Sequence, residues 1–236
     1  MSTTPTVYRE NRLLATLPAH ARNELLAQCE RVDLACDDQL VDIGGRILHA
    51  YFPIHSRISL KITVNQHADF EVTQIGNEGM CGMPLALDID ISPVQASVQC
   101  GGAALRIPAV EFGYVLENEP ALRQAIKRYI YVQMKQLAQL AACNRYHLVE
   151  ERLARCLLMM VDRAGTDELH ITHDALARIL GVRRVGITNA AGSLQKRHLM
   201  CYSRGIITVS DRDGLEAASC ACYRADKEIY DDIMSS

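Results

Sequence analysis

Ile58, Leu60, Ile62 and Val64 are apolar and the residues between them, Ser59, Lys61 and Thr63, are polar. This period of two is that of a half-buried strand. Phe70 and Val72, then Ala96, Val98 and Cys100, continue it. Gly44-Gly45, Asn65 to His67, Gly76 to Gly82 and Gly101-Gly102 supply turns between the runs. Short strands at this spacing predict a sandwich or barrel of the jelly-roll kind. Ahead of them, residues 11 to 29 predict a short helical lead, with Pro18 in a first turn and Leu14, Leu17, Leu25 and Leu26 as anchors.

From Pro120 to Gly165 there is neither glycine nor another proline, and the period becomes helical. Ile126, Ile130, Gln133, Leu137, Leu140, Asn144 and His147 follow alternating steps of four and three, the a/d seam of a coiled coil. Polar Gln133 and Asn144 inside such a seam suit a partner helix, so Ile126, Ile130, Gln133, Leu137, Leu140 and Asn144 are the expected dimer interface. A new apolar phase, Val149, Leu153, Cys156, Leu157 and Met160, predicts a break near Asn144 to Leu148.

The C-terminal part reads ITHDALARILGVRR, then a second helix, a hairpin around Arg204-Gly205 and a last helix. Thr172 is placed to cap a helix starting at His173, and Gly181 suits the left-handed residue that ends it. Two helices joined by a tight glycine-containing turn predict a helix-turn-helix. On the second helix, expected over 183–197, Ile187, Ala190, Ala191 and Leu194 form the buried stripe. The opposite face carries Val185, Thr188, Asn189, Gly192 and Lys196, with Arg184 at its edge. The whole is an α+β chain: an N-terminal jelly-roll barrel with its helical lead over 1–116, a dimerisation helix over 117–146 and a winged helix-turn-helix over 147–236.

Composition changes this picture in one place. Apolar residues make up 49% and charged residues 22% of the 236, the balance of a globular protein. From Ala175 to Ser210 there is no acid, while Arg178, Arg183, Arg184, Lys196, Arg197 and Arg204 give +6; the net charge is −3, so the remainder carries −9. That asymmetry predicts a local anion-binding face. A helix N-terminus disfavours the Arg183-Arg184 pair unless an anion lies opposite. Arg and Asn are the side chains that pair bidentately with guanine and adenine edges, which points to a DNA major groove. The expected DNA contacts are Arg183, Arg184, Val185, Thr188, Asn189 and Lys196, with Ser203 and Arg204 of the wing, beside Tyr202, on phosphates.

Nine cysteines stand at 29, 36, 81, 100, 143, 156, 201, 220 and 222, with no C-x-x-C. Disulfides are not expected, and buried small hydrophobes are. Cys220 and Cys222 read as lying in one helix, where an i, i+2 spacing sends the sulfurs to different faces, so no metal site is expected. The N-terminal residues lack the apolar region of a secretory signal, and no run of about 18 apolar residues predicts a membrane span. A cytoplasmic protein is the expectation.

The run ITHDALARILGVRRVGITNAAGSLQKRHLMCYSRGIITVSD resembles the winged helix-turn-helix of the Crp/Fnr regulators, through Leu176-Ala177, Leu180-Gly181, Arg184, Leu194, Arg204-Gly205, Ile207 and Asp211. The barrel and long helix fit as well. The resemblance implies a homodimer on a two-fold symmetric DNA operator, RNA polymerase as a further partner, and an effector in the barrel. Its base-reading positions fall on Arg184, Val185 and Asn189, where the best-known pattern has Glu and Arg in place of the last two.

Cyclic-nucleotide members hold the phosphate with an Arg that falls here near Pro93 to Gln95. No Lys or Arg occurs from Ile62 to Leu105. A buried phosphate without a cation is costly, so control by cyclic AMP is not expected. An effector pocket, if the barrel has one, falls on Glu78, Gly79, Met80, Cys81, Gly82, Val94 and Gln95. The effector itself is unknown. Haem is a candidate cofactor, with His49, His55, His67 and Cys81 as axial ligands, whereas no cysteine precedes Cys29, which speaks against an iron-sulfur cluster. An enzyme built on a metal-binding barrel needs a close His-x-His that the chain lacks, and His170 with His173 is weak evidence for metal. A barrel sensor acting only through protein contacts leaves the acid-free stretch unexplained.

Overall fold

The computed structural model describes residues 11–63 and 70–235, so Val64, Asn65 to His67 and Asp69 lie outside the described residues. Contacts divide the chain into two compact units, Met1–Ile58 with Ile75–Lys127, and Ser59–Gln74 with Arg128–Ser236.

In the first unit, α1 (Arg12–Ala15) and α2 (Ala19–Gln28) form the predicted lead, with Pro18 as the N-cap of α2. Asn11 fixes its start: Oδ1 accepts from the Leu14 N–H, and Nδ2 donates to the carbonyls of Pro53 at 2.9 Å and Gly79 at 2.8 Å. A buried amide with these bonds made orders the segment at little desolvation cost. The strands in chain order are β1 (Glu30–Leu34), β2 (Gln39–Val41), β3 (His49–Pro53), β4 (Arg57–Ile62), β5 (Phe70–Ile75), β6 (Gln95–Cys100) and β7 (Gly102–Pro108), of which β4 and β5 fall mostly in the second unit. β7 lies between β1 and β3, and β2 pairs with β6 across a register shift, each pairing antiparallel. Phe52, Ile107 and α3 (Ala109–Asn118), through Phe112, fill the core. This is the β-rich N-terminal domain that the alternation predicts.

The helical region resolves into α4 (Pro120–Tyr146) and α5 (Val149–Ala164), broken at His147-Leu148 as expected. The Leu148 N–H donates to Glu151 Oε2 at 3.0 Å, a side chain satisfying an orphan donor at the start of α5. In the second unit follow β8 (Glu168–His170), α6 (His173–Leu180), α7 (Arg184–Lys196), β9 (Met200–Ser203), β10 (Ile206–Val209), α8 (Arg212–Ala218) and α9 (Cys222–Met234). β10 pairs with both β8 and β9, and Arg204 and Gly205, with φ of 50° and 84°, make the two-residue turn between β9 and β10. Such a turn matches the twist of a hairpin.

The core of this unit gathers Leu153 and Leu157 of α5, Leu176 of α6, Ile187 and Leu194 of α7, and Ile207 of β10. Ser59–Gln74 belongs to this unit as well. Gly181 shows why: it has φ +62°, and a Cβ there would stand 2.9 Å from Phe70 Cε2. Alternation along β4 also breaks down, since Arg57, Ile58, Ser59 and Leu60 are all buried. Ser59 is accommodated by donating to Glu71 Oε2 at 2.5 Å, while Gln74 donates to the other carboxylate oxygen at 2.6 Å. Burial raises the Glu71 carboxyl above its ordinary pKa, against the lowering effect of those two bonds.

α9 is held to α5 by an ion pair with almost no access to water: Arg155 is 8% and Asp226 2% exposed at the side chain, with Arg155 Nε 3.0 Å from Asp226 Oδ2. Removing one partner strands the other charge. Asp226→Ala should lower the stability of the second unit by about 3–5 kcal/mol, read as a fall in the urea midpoint. A loss below about 1 kcal/mol would mean that water reaches Arg155.

Candidate nucleic-acid interface

The local sequence builds this site as anticipated at almost every point. Thr172 Oγ1 accepts from the Ala175 N–H at 3.2 Å and caps α6, and Gly181 ends it in the left-handed region. α7 begins one residue later than expected, with Arg183 as its N-cap and Arg197 as its C-cap. Ile187, Ala190, Ala191 and Leu194 are buried, so the helix is locked by its apolar stripe.

Rotation about that stripe decides what faces outward. Arg184, Val185, Thr188, Asn189 and Lys196 are exposed, and Val185 at 62% is among the most exposed apolar side chains described. Gly186 and Gly192 have open space where a Cβ would stand, so no internal packing demands glycine at either position. Arg183, Ser203 and Arg204 are exposed too. All eight expected DNA contacts therefore reach the surface of one unit.

Arg184 is not idle in the free protein. Its Nε lies 3.5 Å from Asp174 Oδ1 of α6, with both side chains more than half exposed. An exposed pair of this kind contributes at most about 1 kcal/mol, so a stronger anion can exchange for it.

His173, which the sequence reading pairs with His170 as a weak metal candidate, has another role. His170 is exposed and lies 3.2 Å from Glu168. The His173 ring stacks on Tyr202 at 4.0 Å between centroids, and Nδ1 is 3.2 Å from Thr188 Oγ1. Thr188 Oγ1 donates to the Arg184 carbonyl at 3.2 Å, which leaves its oxygen to accept from His173 Nδ1–H. The His173 Nε2 is buried without a hydrogen-bond partner among the described residues. Tyr202 is half-buried, and its N–H donates to Gln195 Oε1 at 3.0 Å. His173, Gln195 and Tyr202 thus tie α6, α7 and the wing together. The sequence carried no signal for this, because the three lie far apart along it.

The expected effector residues divide by depth. Met80 and Cys81 are core residues, Gly79 and Gly82 are buried, and Glu78, Val94 and Gln95 are half-buried. Cys81 exchanges backbone hydrogen bonds with Tyr51, and burial pushes its thiol up to about 12. Of the haem candidates, His55 is exposed, and His49 has its pKa lowered by burial and by Arg106. His67 lies outside the described residues. A cavity within the second unit is lined instead by Glu71, Gln74, Leu137, Leu140, Arg155 and Met159, among others.

On α4, Ile126 is 0% and Gln133 4% exposed within the single chain. Asn144 Oδ1 accepts from Arg152 Nη2 at 2.7 Å, a bond between α4 and α5. Of the six seam residues, Ile126 and Gln133 are covered within the chain, Ile130 and Leu140 are half-buried, and Leu137 and Asn144 are exposed.

Residues 151–218 match the family model of the Crp-like helix-turn-helix domain. No curated protein sequence matches the chain. Among solved structures, FixK2 from Bradyrhizobium japonicum is similar at a TM-score of 0.71 and 10% identity, over 82% of this chain and 98% of that one. The c-di-GMP responsive global regulator CLP of Xanthomonas campestris aligns at 0.67 and 16% identity, over 81% of this chain and 99% of that one. A CRP-family transcriptional regulator from Thermus thermophilus aligns at 0.67 and 14% identity, over 80% and 96%.

The domain match identifies residues 151–218 as a Crp-like helix-turn-helix domain, and the chain shares the fold of these regulators. Among the described residues no helix is long and apolar enough to cross a membrane.

The pKa of His173 is lowered by burial first and by the Arg184 guanidinium second, with Asp174 opposing. A histidine depressed on folding contributes stability above its unfolded pKa of about 6.5, and that contribution fades as pH falls through the folded value. The His173 ring signals should therefore titrate with a midpoint below about 6.5, and the C-terminal unit should melt earlier at about pH 5.5 than at about pH 7.5. His173→Gln should flatten that dependence.

Proposed function

We propose that the protein is a homodimeric, sequence-specific regulator that reads a two-fold symmetric operator in the cytoplasm. The observation that carries this reading is the outward face of α7, where Arg184, Thr188, Asn189 and Lys196 stand exposed without an intervening acid. Residues in the N-terminal part of a recognition helix reach base edges, which favours Arg184 for guanine and Asn189 for adenine, with Val185 between them. Arg183, just outside the helix, and Ser203 and Arg204 at the wing turn serve phosphates. Gly186 and Gly192 let the helix backbone approach the groove closely.

The second copy seats on a face of α4 one position round from the seam read in the sequence. Tyr131 and Met134 are 50% and 64% exposed, and Lys127, Ala138, Ala141 and Arg145 continue them, all exposed, at steps of four and three. This too is an a/d repeat, with small residues at its centre and cations at its ends. Ile126 and Gln133 support it from behind, inside the chain. Control runs through something other than cyclic AMP bound in the usual way, because residues 62 to 105 hold no Lys or Arg for its phosphate. RNA polymerase is the further protein partner of such a regulator.

Titrating labelled duplex DNA at several salt concentrations tests the reading. Affinity should fall steeply as salt rises, and a salt-independent affinity would overturn it. Arg184→Ala should weaken the preferred site by about 1–3 kcal/mol more than random DNA. Equal loss on both would make Arg184 a phosphate contact. Separately, Ala138→Glu should convert the dimer to monomer in sedimentation without lowering helix content; an intact dimer would move the interface elsewhere.

A further inference from the structure

Where α4 ends, four potential metal ligands converge. Cys143 and His147 sit one helical turn apart at the end of α4, with the His147 N–H still donating to the Cys143 carbonyl at 3.1 Å. Cys220 and Cys222 come from the junction before α9 and from its first residue. The expectation that this last pair could not share a metal assumed one helix. Instead α8 ends at Ala218, Ser219 is its extended C-cap, and Cys220 stands outside both helices. A turn therefore brings the two sulfurs together.

The three sulfurs and one imidazole nitrogen lie within 4.8 Å of one another, the one group of at least three such donors among the described residues. Cys143 Sγ is 3.6 Å from Cys220 Sγ, and Cys222 Sγ is 3.5 Å from His147 Nδ1. A disulfide would need about 2.05 Å between sulfurs. A tetrahedral zinc, with Zn–S of about 2.3 Å and Zn–N of about 2.0 Å, separates its sulfurs by about 3.8 Å and sulfur from nitrogen by about 3.5 Å. These two spacings match the second arrangement, and the remaining donor pairs, all within 4.8 Å, stand at most about 1 Å wider than it.

We infer that Cys143, His147, Cys220 and Cys222 form a Cys3His site for a single tetrahedral divalent ion, zinc by ligand type. Soft thiolates with one imidazole in a closed tetrahedron select zinc. Binding replaces the S–H protons of the three thiols, which leave to solvent, and His147 binds through neutral Nδ1. Cys143, Cys220 and Cys222 are 0%, 5% and 1% exposed, so water does not occupy a ligand position from their side.

The surroundings serve the charge that results. Gln139 Nε2 donates to Cys222 Sγ at 3.0 Å, an outer-shell bond that favours thiolate. Packing of three small hydrophobes explains the burial but neither the amide aimed at Cys222 nor the imidazole beside it.

The ligands come from the two sides of the His147-Leu148 break. A bound ion therefore ties the last helix of the DNA-binding part to the end of the long helix and fixes the angle at that joint.

Metal analysis of the full chain, purified without chelator, should give one zinc per chain, and cobalt substitution should give the visible absorption of tetrahedral thiolate-bound cobalt. Cys220→Ser, Cys222→Ser and His147→Gln should each lower zinc affinity by more than about a hundredfold, and Gln139→Ala by about tenfold. Cys156→Ser should leave it unchanged. Should a ligand variant fail to fold, the wild-type chain still decides: its melting temperature should fall with chelator and return with zinc. Less than a tenth of an equivalent of zinc after reconstitution, a Cys143–Cys220 disulfide under reducing purification, or iron with inorganic sulfide in place of zinc would overturn the assignment.

Discussion

The seating of four apolar side chains, Ile187, Ala190, Ala191 and Leu194, against α5 and α6 is the constraint on which the rest of the interface depends. A helix with a buried stripe has no freedom to rotate, so burying these residues fixes which others face outward. Arg184, Thr188, Asn189 and Lys196 owe their common orientation to these buried residues. On the proposed reading, specificity in this unit is accordingly a property of its core, and a substitution at Ile187 would disturb base recognition by turning the helix.

The same economy runs through the wing. Its hairpin is anchored at one end by Ile207 in the core and at the other by Tyr202, which stacks on His173 and bonds through its backbone to Gln195. Three short elements with little core of their own thus become one rigid surface.

How much of this was legible in the sequence depended on the range of the cause. The α6 cap at Thr172, the left-handed Gly181 and the Arg204-Gly205 turn rest on preferences that act over two to four residues, and each is found where the pattern places it. The seam on α4 is a subtler case. A 4-3 repeat states that a helix face is covered without stating by what, and two repeats one residue apart run along this helix. The chain covers two positions of one of them itself, Ile126 and Gln133. The cysteines were opaque for the same reason. Nothing local to Cys220 and Cys222 tells that Cys143 and His147 will arrive beside them, and a single misplaced helix boundary at Ser219 hid even the local half of the cluster. Glu71 completes the series, since alternation assigned its strand a wet face that the fold closes with Ser59 and Gln74.

On the proposed reading, Arg184 must leave Asp174 before it can bind any anion, and an exposed pair at 3.5 Å yields easily. Asp174 would then weaken every contact of Arg184 by the same small amount. A guanine edge, with two acceptors in one plane, would return that loss more fully than a lone phosphate oxygen.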